Sequence, residues 1–244
     1  MLVLGLDFEA TGLDTSNDRV TEIGAVVWDT DAKMPLELYS TFVTDDQVQA
    51  LLAKPESYKK IPAEAVARGK APALAFAGLN QVAKEFGISH VVAHNGTNYD
   101  KTLLASEYTR HGCDDVLLRR TWLDTRYDLP MAESIETRKL PYLAAEHGFL
   151  NPFPHRAVFD VMTMLRVLSQ YDMQAVLDLA AQPWMTVRIV VGYDDRQAAK
   201  DLRYSWEKVG EKSYPRCWVK RIRANKLEDE RKATKFPVVV LEQG

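Results

Sequence analysis

A chain of 244 residues, 46% of them apolar, is long enough for one large domain with a small appendage, and ordinary glycine and proline levels exclude a fibrous repeat or a disordered chain. Met1 leads straight into an alternating apolar stretch without the basic head and cleavage site of a signal peptide, and no apolar run reaches membrane-spanning length. The net charge of −3 is unevenly spread: residues 185–244 carry 14 Lys and Arg against 9 Asp and Glu, a net of +5, which leaves 17 against 25, a net of −8, for residues 1–184.

An acidic body repels a polyanion unless its carboxylates hold metal ions that reverse the local sign, so the asymmetry directs attention to clustered acids. Cys113 and Cys217 stand far apart with no CxxC partner, which argues against a structural zinc site and fits a reducing compartment. A cytoplasmic protein with no membrane association is expected.

Residues 2–8, 19–29 and 34–43 are β-rich runs joined by short polar links, and they predict three antiparallel strands. Helical spacing follows over 71–87, then a short strand over 88–94 and a helix over 97–112, entered at Thr97 and left near Gly112. A fifth strand is expected near Trp122 and Leu123, then helices around 138–147 and 156–170 separated by the loop Asn151-Pro152-Phe153-Pro154. Strands first and alternating elements afterwards give an α/β fold with a mixed sheet flanked by helices. Periodicity and charge balance both change near Ala181 to Pro183, so residues 1–182 are taken as one domain and 185–244 as a small α+β module. Within that module a strand over 185–192, a helix over 194–204, a hairpin through Trp206 and 216–223, a short helix and a last strand over 237–241 are expected.

Asp7 and Glu9 are two apart on a predicted strand, so both carboxylates leave the same face, and a hard divalent cation is the usual means of offsetting such repulsion. Read alone, the pair is more simply a solvated strand end. Asp100 stands where an apolar strand gives way to a helix, at the end of the sheet where clefts of α/β proteins lie. The spacing Thr97-x-x-Asp100 equally fits a capping box in which Asp100 only completes a helix start. Five residues separate His155 from Asp160, about 500° of helix, so one continuous helix would turn them roughly 140° apart. The two can serve one site only if His155 lies on the preceding loop, which Pro152 and Pro154 favour by resisting helix. Taken singly, His155 is more simply a surface histidine and Asp160 a first-turn acid.

In chain order these residues fall in DFEATGL (7–13), HN-x4-D (94–100) and HRA-x-FD (155–160), and in that order they strongly resemble the DnaQ-like DEDDh exonucleases. That family includes proofreading subunits of polymerases, exonuclease X and RNase T. The resemblance covers roughly residues 1–170 and is strongest in the three motifs. Between them Ile61 to Gly69 is only loosely similar to a family helix, with Arg68-Gly69 where many members have His-Gly.

What the resemblance implies is an RNase H-like five-stranded sheet and a metal-dependent 3′→5′ exonuclease that releases nucleoside 5′-monophosphates, acting in DNA repair, replication or proofreading. It implies two Mg2+ ions, replaceable by Mn2+, with Asp7 bridging them, Glu9 and Asp160 completing the nucleophile-side ion and Asp100 supporting the other. His155 is then the general base, a role open to a side chain whose ordinary pKa is about 6.5. Ala10, Thr11 and Gly12 are implied to contact the terminal nucleotide and Leu13 to wedge beside its base. Leu13 in the core, with Gly12 at positive φ in a plain turn, is the competing account. Asn95 either contacts substrate or bonds within its own turn, and His94 is read as structural. Single-stranded 3′ ends, DNA ahead of RNA, are the expected partner, with an RNA-trimming enzyme or a catalytically silent nucleic-acid-binding protein as alternatives.

In the tail, Tyr193, Tyr204, Trp206, Tyr214 and Trp218 interleave with arginines and lysines, a composition suited to stacking unpaired bases and tracking phosphates. The same aromatics suit the core of a very small domain.

Overall fold

The structure is a computed structural model and describes residues 1–54, 61–132, 134–208 and 216–243; of the residues singled out above, Tyr214 lies outside these. The chain divides into two compact units, Met1–Leu177 and Asp178–Gly244.

In the first unit, β1 (Leu2–Ala10), β2 (Val20–Asp29) and β3 (Met34–Phe42) form the expected antiparallel meander, and β4 (His90–Ala93) and β5 (Thr121–Asp124) add parallel strands in the order β3-β2-β1-β4-β5. The interior strand β2 reads VTEIGAVVWD and is buried along nearly all its length, as a strand packed on both faces must be. This is the mixed five-stranded RNase H-like sheet. Its helices are α1 (Asp46–Leu52), α2 (Ala63–Val66), α3 (Pro72–Glu85), α4 (Asp100–His111), α5 (Leu140–Glu146), α6 (Ala157–Leu168) and α7 (Met173–Ala180), the last running across the unit boundary. Among the described residues no helix is long and apolar enough to cross a membrane.

Two glycines seat α6 on the sheet. A Cβ on Gly5 would lie 2.7 Å from the side chains of Val161 and Leu165, and one on Gly24 would lie 2.3 Å from the backbone of Ala157 and Val158. Register puts Gly24 directly opposite Asp7 and Glu22 opposite Glu9, so the face that receives α6 is the face that carries the acids. Ala157, Val161 and Leu165 recur every four residues and are fully buried, each of the larger two contributing about 1.5–3 kcal/mol of burial.

The second unit is a four-stranded antiparallel sheet in the order β7-β8-β6-β9, from β6 (Trp184–Ile189), β7 (Ser205–Glu207), β8 (Cys217–Arg223) and β9 (Val238–Gln243). Helices α8 (Arg196–Asp201) and α9 (Leu227–Lys232) contribute Ala199 and Leu227 to a core with Met185, Val187, Ile189 and Ile222. The hairpin expected through Trp206 and 216–223 is present, with Trp206 paired to Trp218 and their rings 5.3 Å apart.

Candidate active site

Asp7 and Glu9 project from the end of β1, and a bulge between Glu9 and Ala10 ends regular pairing with β2 just past them. Asp100 begins α4 and is buried, with its Oδ1 accepting the Phe8 backbone N–H at 3.2 Å, so the acid of the second motif is tied directly into the strand of the first. The helix is entered at Asp100 rather than Thr97, and the capping-box account fails with it. Thr97 instead donates its hydroxyl to Asp124 Oδ2 at 2.9 Å.

Asp160 lies in the first turn of α6, and His155 stands before that helix with a left-handed backbone, φ 67°. Its N–H donates to Asp160 Oδ2 at 2.8 Å, and Asn151 Nδ2 donates to Asp160 Oδ1 at 2.6 Å, which folds the loop back over the helix start. Off the helix, His155 reaches the side it could not reach from within it: ligand atoms of Glu9, His155 and Asp160 lie within 4.8 Å of one another.

The electrostatics separate acids that are neutralised in place from acids that are not. Buried Glu22 accepts the Arg156 guanidinium at 3.0 Å and the Ala157 N–H at 3.3 Å. Buried Glu107 takes Arg110 at 2.9 Å, His111 at 3.1 Å and the Val20 N–H at 3.2 Å. Buried Asp124 receives the N–H groups of Asn95, Thr97 and Arg126 besides the Thr97 hydroxyl. At Asp7, burial and then the charges of Asp100, Asp160, Glu9 and Glu22 push the carboxyl well above its ordinary value. Asp100 is pushed to about 7, chiefly by burial, against the lowering effect of the Phe8 N–H. Carboxylates held together at such a cost are a donor set for an added cation, and oxygen donors suit Mg2+ or Mn2+.

The turn after Glu9 is heavily braced. Thr11 is buried and its hydroxyl donates to Asp18 Oδ1 at 2.7 Å, while Tyr99 OH donates to the Gly12 carbonyl at 2.6 Å. Arg110 donates to the carbonyls of Thr15, Ser16 and Asp18. A Cβ at Gly12 would lie 2.5 Å from Asp18 Oδ2, so any larger residue there displaces the carboxylate that holds Thr11, and the φ of Gly12 is not in the positive region. Leu13 is 86% exposed, so the competing account that put it in the core is wrong. Ala10 is half-buried at the strand end. Asn95, at φ 65°, accepts from Tyr127 OH at 3.2 Å through its side chain, and His94 Nδ1 bonds Thr125 Oγ1 at 2.9 Å.

Sequence reasoning overlooked Glu22, Asp124, Tyr99 and Arg110. Tyr99 lies within HN-x4-D without being one of its fixed positions, and what each residue holds shows only in the folded chain: Glu22 through the register of β2 on β1, Tyr99 and Arg110 through the turn after β1, and Asp124 through the loop after β4. The sole advance signal was a charged residue inside an otherwise apolar strand, as at Glu22 and Asp124.

The exonuclease family matches residues 4–168. No curated protein matches the chain. Among solved structures, exonuclease I is similar with 16% identity and a TM-score of 0.56 over 77% of this chain and 48% of that one, so this chain spans about half its length. E. coli exonuclease I in complex with a dA16 oligonucleotide gives 15% identity and a TM-score of 0.59 over 95% of this chain and 67% of that one. The nuclease domain of 3′hExo, a DEDDh family member bound to rAMP, gives 15% and 0.55 over 69% and 90%. The chain therefore belongs to this exonuclease family, the match covering more than half of its length.

Proposed function

We propose that this protein hydrolyses single-stranded DNA from its 3′ end to nucleoside 5′-monophosphates, using two divalent ions, Mg2+ by preference with Mn2+ able to replace it. The observation that carries the reading is the convergence at one end of the sheet of carboxylates that repel one another, with Asp7 and Asp100 both raised. Asp7, Glu9, Asp100 and Asp160 would hold the ions. When bound, such ions neutralise this repulsion, polarise the phosphoryl oxygen and make water acidic enough to supply a nucleophile near neutral pH.

The protein's own part is placement and proton transfer. His155, anchored by its N–H on Asp160, presents a ring nitrogen beside Glu9 and Asp160 and takes the proton of the attacking water. Its loop position lets the imidazole turn without disturbing Asp160, which α6 keeps fixed. Ala10, Thr11 and Gly12 offer the braced backbone of their turn to the terminal nucleotide, and exposed Leu13 packs beside its base. Asn95 shares the cleft rim, its side chain held by Tyr127. Residues 1–182 act as the catalytic domain and 185–244 as an accessory module, in a cytoplasmic protein engaged in DNA repair or replication.

Similar structures contain a deoxyoligonucleotide in one case and rAMP in another, so the sugar is the point to test. Matched 5′-labelled DNA and RNA strands incubated with Mg2+ should both report direction, with DNA shortened faster from its 3′ end. Faster loss of RNA would reassign the enzyme to RNA 3′-end trimming.

A further inference from the structure

One face of the sheet of the second unit packs against its own helices and forms the core of that unit. Along β6, Met185, Val187 and Ile189 turn into the core, so the pleat turns Trp184, Thr186 and Arg188 to the other side. Register on β8 pairs Trp184 with Arg223, Thr186 with Arg221 and Arg188 with Val219, while Arg188 meets Val239 on β9. Directly paired residues share a face. The face away from the core thus carries Arg188, Arg221 and Arg223 around Trp184, with Val239 exposed and Val219 buried.

The three arginines are not equivalent. Arg223 lies 4.2 Å from the Trp184 ring centre and donates to the carbonyls of Ala180 at 3.3 Å and Gln182 at 2.7 Å, so it fastens the entry to β6. Arg221 lies 4.9 Å over the same ring but is exposed. Among the described residues neither Arg221 nor Arg188 is paired with a carboxylate. Two acids share this face by register: Glu207, paired with Cys217 and roughly 13 Å from Arg221 along the strand at about 3.4 Å per residue, and Glu242 on β9, paired with Thr186 and so two strands, about 10 Å, across from Arg221.

We propose that this face binds the backbone phosphates of single-stranded nucleic acid, with Arg188 and Arg221 as the phosphate ligands and Trp184 as a positioning residue that holds Arg221 extended. A guanidinium stacked on an indole loses less freedom when it forms its two parallel bonds to a phosphate. Val239, 45% exposed, and the rim of Trp184 offer apolar surface to sugars and unpaired bases, which a duplex keeps stacked inside. The surplus of cations over residues 185–244 supplies the long-range attraction. The proposal rests on the single-strand reading above, but binding measured with metal chelated is independent of hydrolysis, so either can fail alone.

The test uses the full-length protein in EDTA with a 5′-fluorescent oligothymidylate of about 20 nucleotides, long enough for one extended site, titrated across salt. For Arg188→Gln combined with Arg221→Gln, affinity at low salt should fall about tenfold or more. The slope of log affinity against log salt should shrink by about 1.4, two contacts at about 0.7 each. If that variant does not fold, Arg188→Lys with Arg221→Lys should keep the slope and lose affinity several-fold, because the charge survives and the paired bonds do not. Unchanged affinity in a folded glutamine or lysine pair overturns the site, and a blunt duplex bound equally well through the same two arginines overturns the single-strand assignment.

Discussion

Replacing Gly24 by alanine tests whether the seat of α6 sets the site. The new Cβ would lie 2.3 Å from the Ala157 carbonyl carbon and the Val158 nitrogen, backbone atoms that no rotamer change can move, and ordinary contact begins at 3.4 Å. The start of α6 must therefore retreat by about 1 Å, and overpacking of this kind costs about 1–3 kcal/mol. Asp160 and the His155 loop tied to it move with that helix, whereas Asp7 and Glu9 stay on β1. Misplacement of about 1 Å between reacting groups reduces rate by roughly a hundredfold. Initial rates on a 5′-labelled single strand with saturating Mg2+, with thermal melting on the same samples, provide the assay. A rate loss near a hundredfold in a protein that still melts cooperatively is expected. Wild-type rates would refute the argument that the position of α6 governs catalysis.

The raised carboxyls make a pH prediction for metal-free protein. Asp100 has a folded pKa of about 7 against an ordinary 3.8, so the native state binds more protons than the unfolded one between those values, and stability falls as pH rises from about 4 to about 7. Removing that charge with Asp100→Asn should raise the melting temperature in EDTA at pH 8. The ceiling is about 4 kcal/mol, from about 1.4 per pKa unit, and since Asp7 retains its own repulsion the gain should be about 1–3 kcal/mol, or roughly 3–8 °C. The gain should vanish near pH 4, and an equal gain at both pH values would contradict the cause given. Adding Mg2+ should stabilise the wild type more than the variant, as melting scans would record. Arg110→Ala removes donors from three carbonyls of the 11–18 turn, and Leu13→Ala removes the exposed side chain proposed to pack beside the terminal base. Both should raise KM on single strands by about tenfold with kcat less affected, which steady-state kinetics would separate.

Much of the sheet was legible because its signals are local. Alternation and β-branched runs marked β1, β2 and β3, and Gly112, at φ 62°, ended α4 where the sequence placed it. The placement of His155 off the helix followed from 3.6-residue geometry and two prolines. Helix α1 was missed, though Asp45 caps it by accepting the Val48 N–H, and so was α7, short elements whose apolar faces make sense only against the folded body. Thr97 misled because its capping pattern is local while its actual partner, Asp124, is 27 residues away. Glu22 was invisible for a similar reason: its position opposite Glu9 is a matter of strand register, and the Arg156 that neutralises it arrives from 134 residues downstream. The acids that the fold brings together at the end of the sheet were therefore legible from the order of their motifs, but the groups that hold them were not.

The most direct test of the central claim is a time course on a 5′-labelled single-stranded oligonucleotide with Mg2+, run beside the same reaction in EDTA and beside Asp7→Asn. A ladder that shortens from the 3′ end, abolished by EDTA and by the variant while the variant keeps its fold, is the predicted result. No shortening with either Mg2+ or Mn2+, or cleavage that survives in Asp7→Asn, would contradict it.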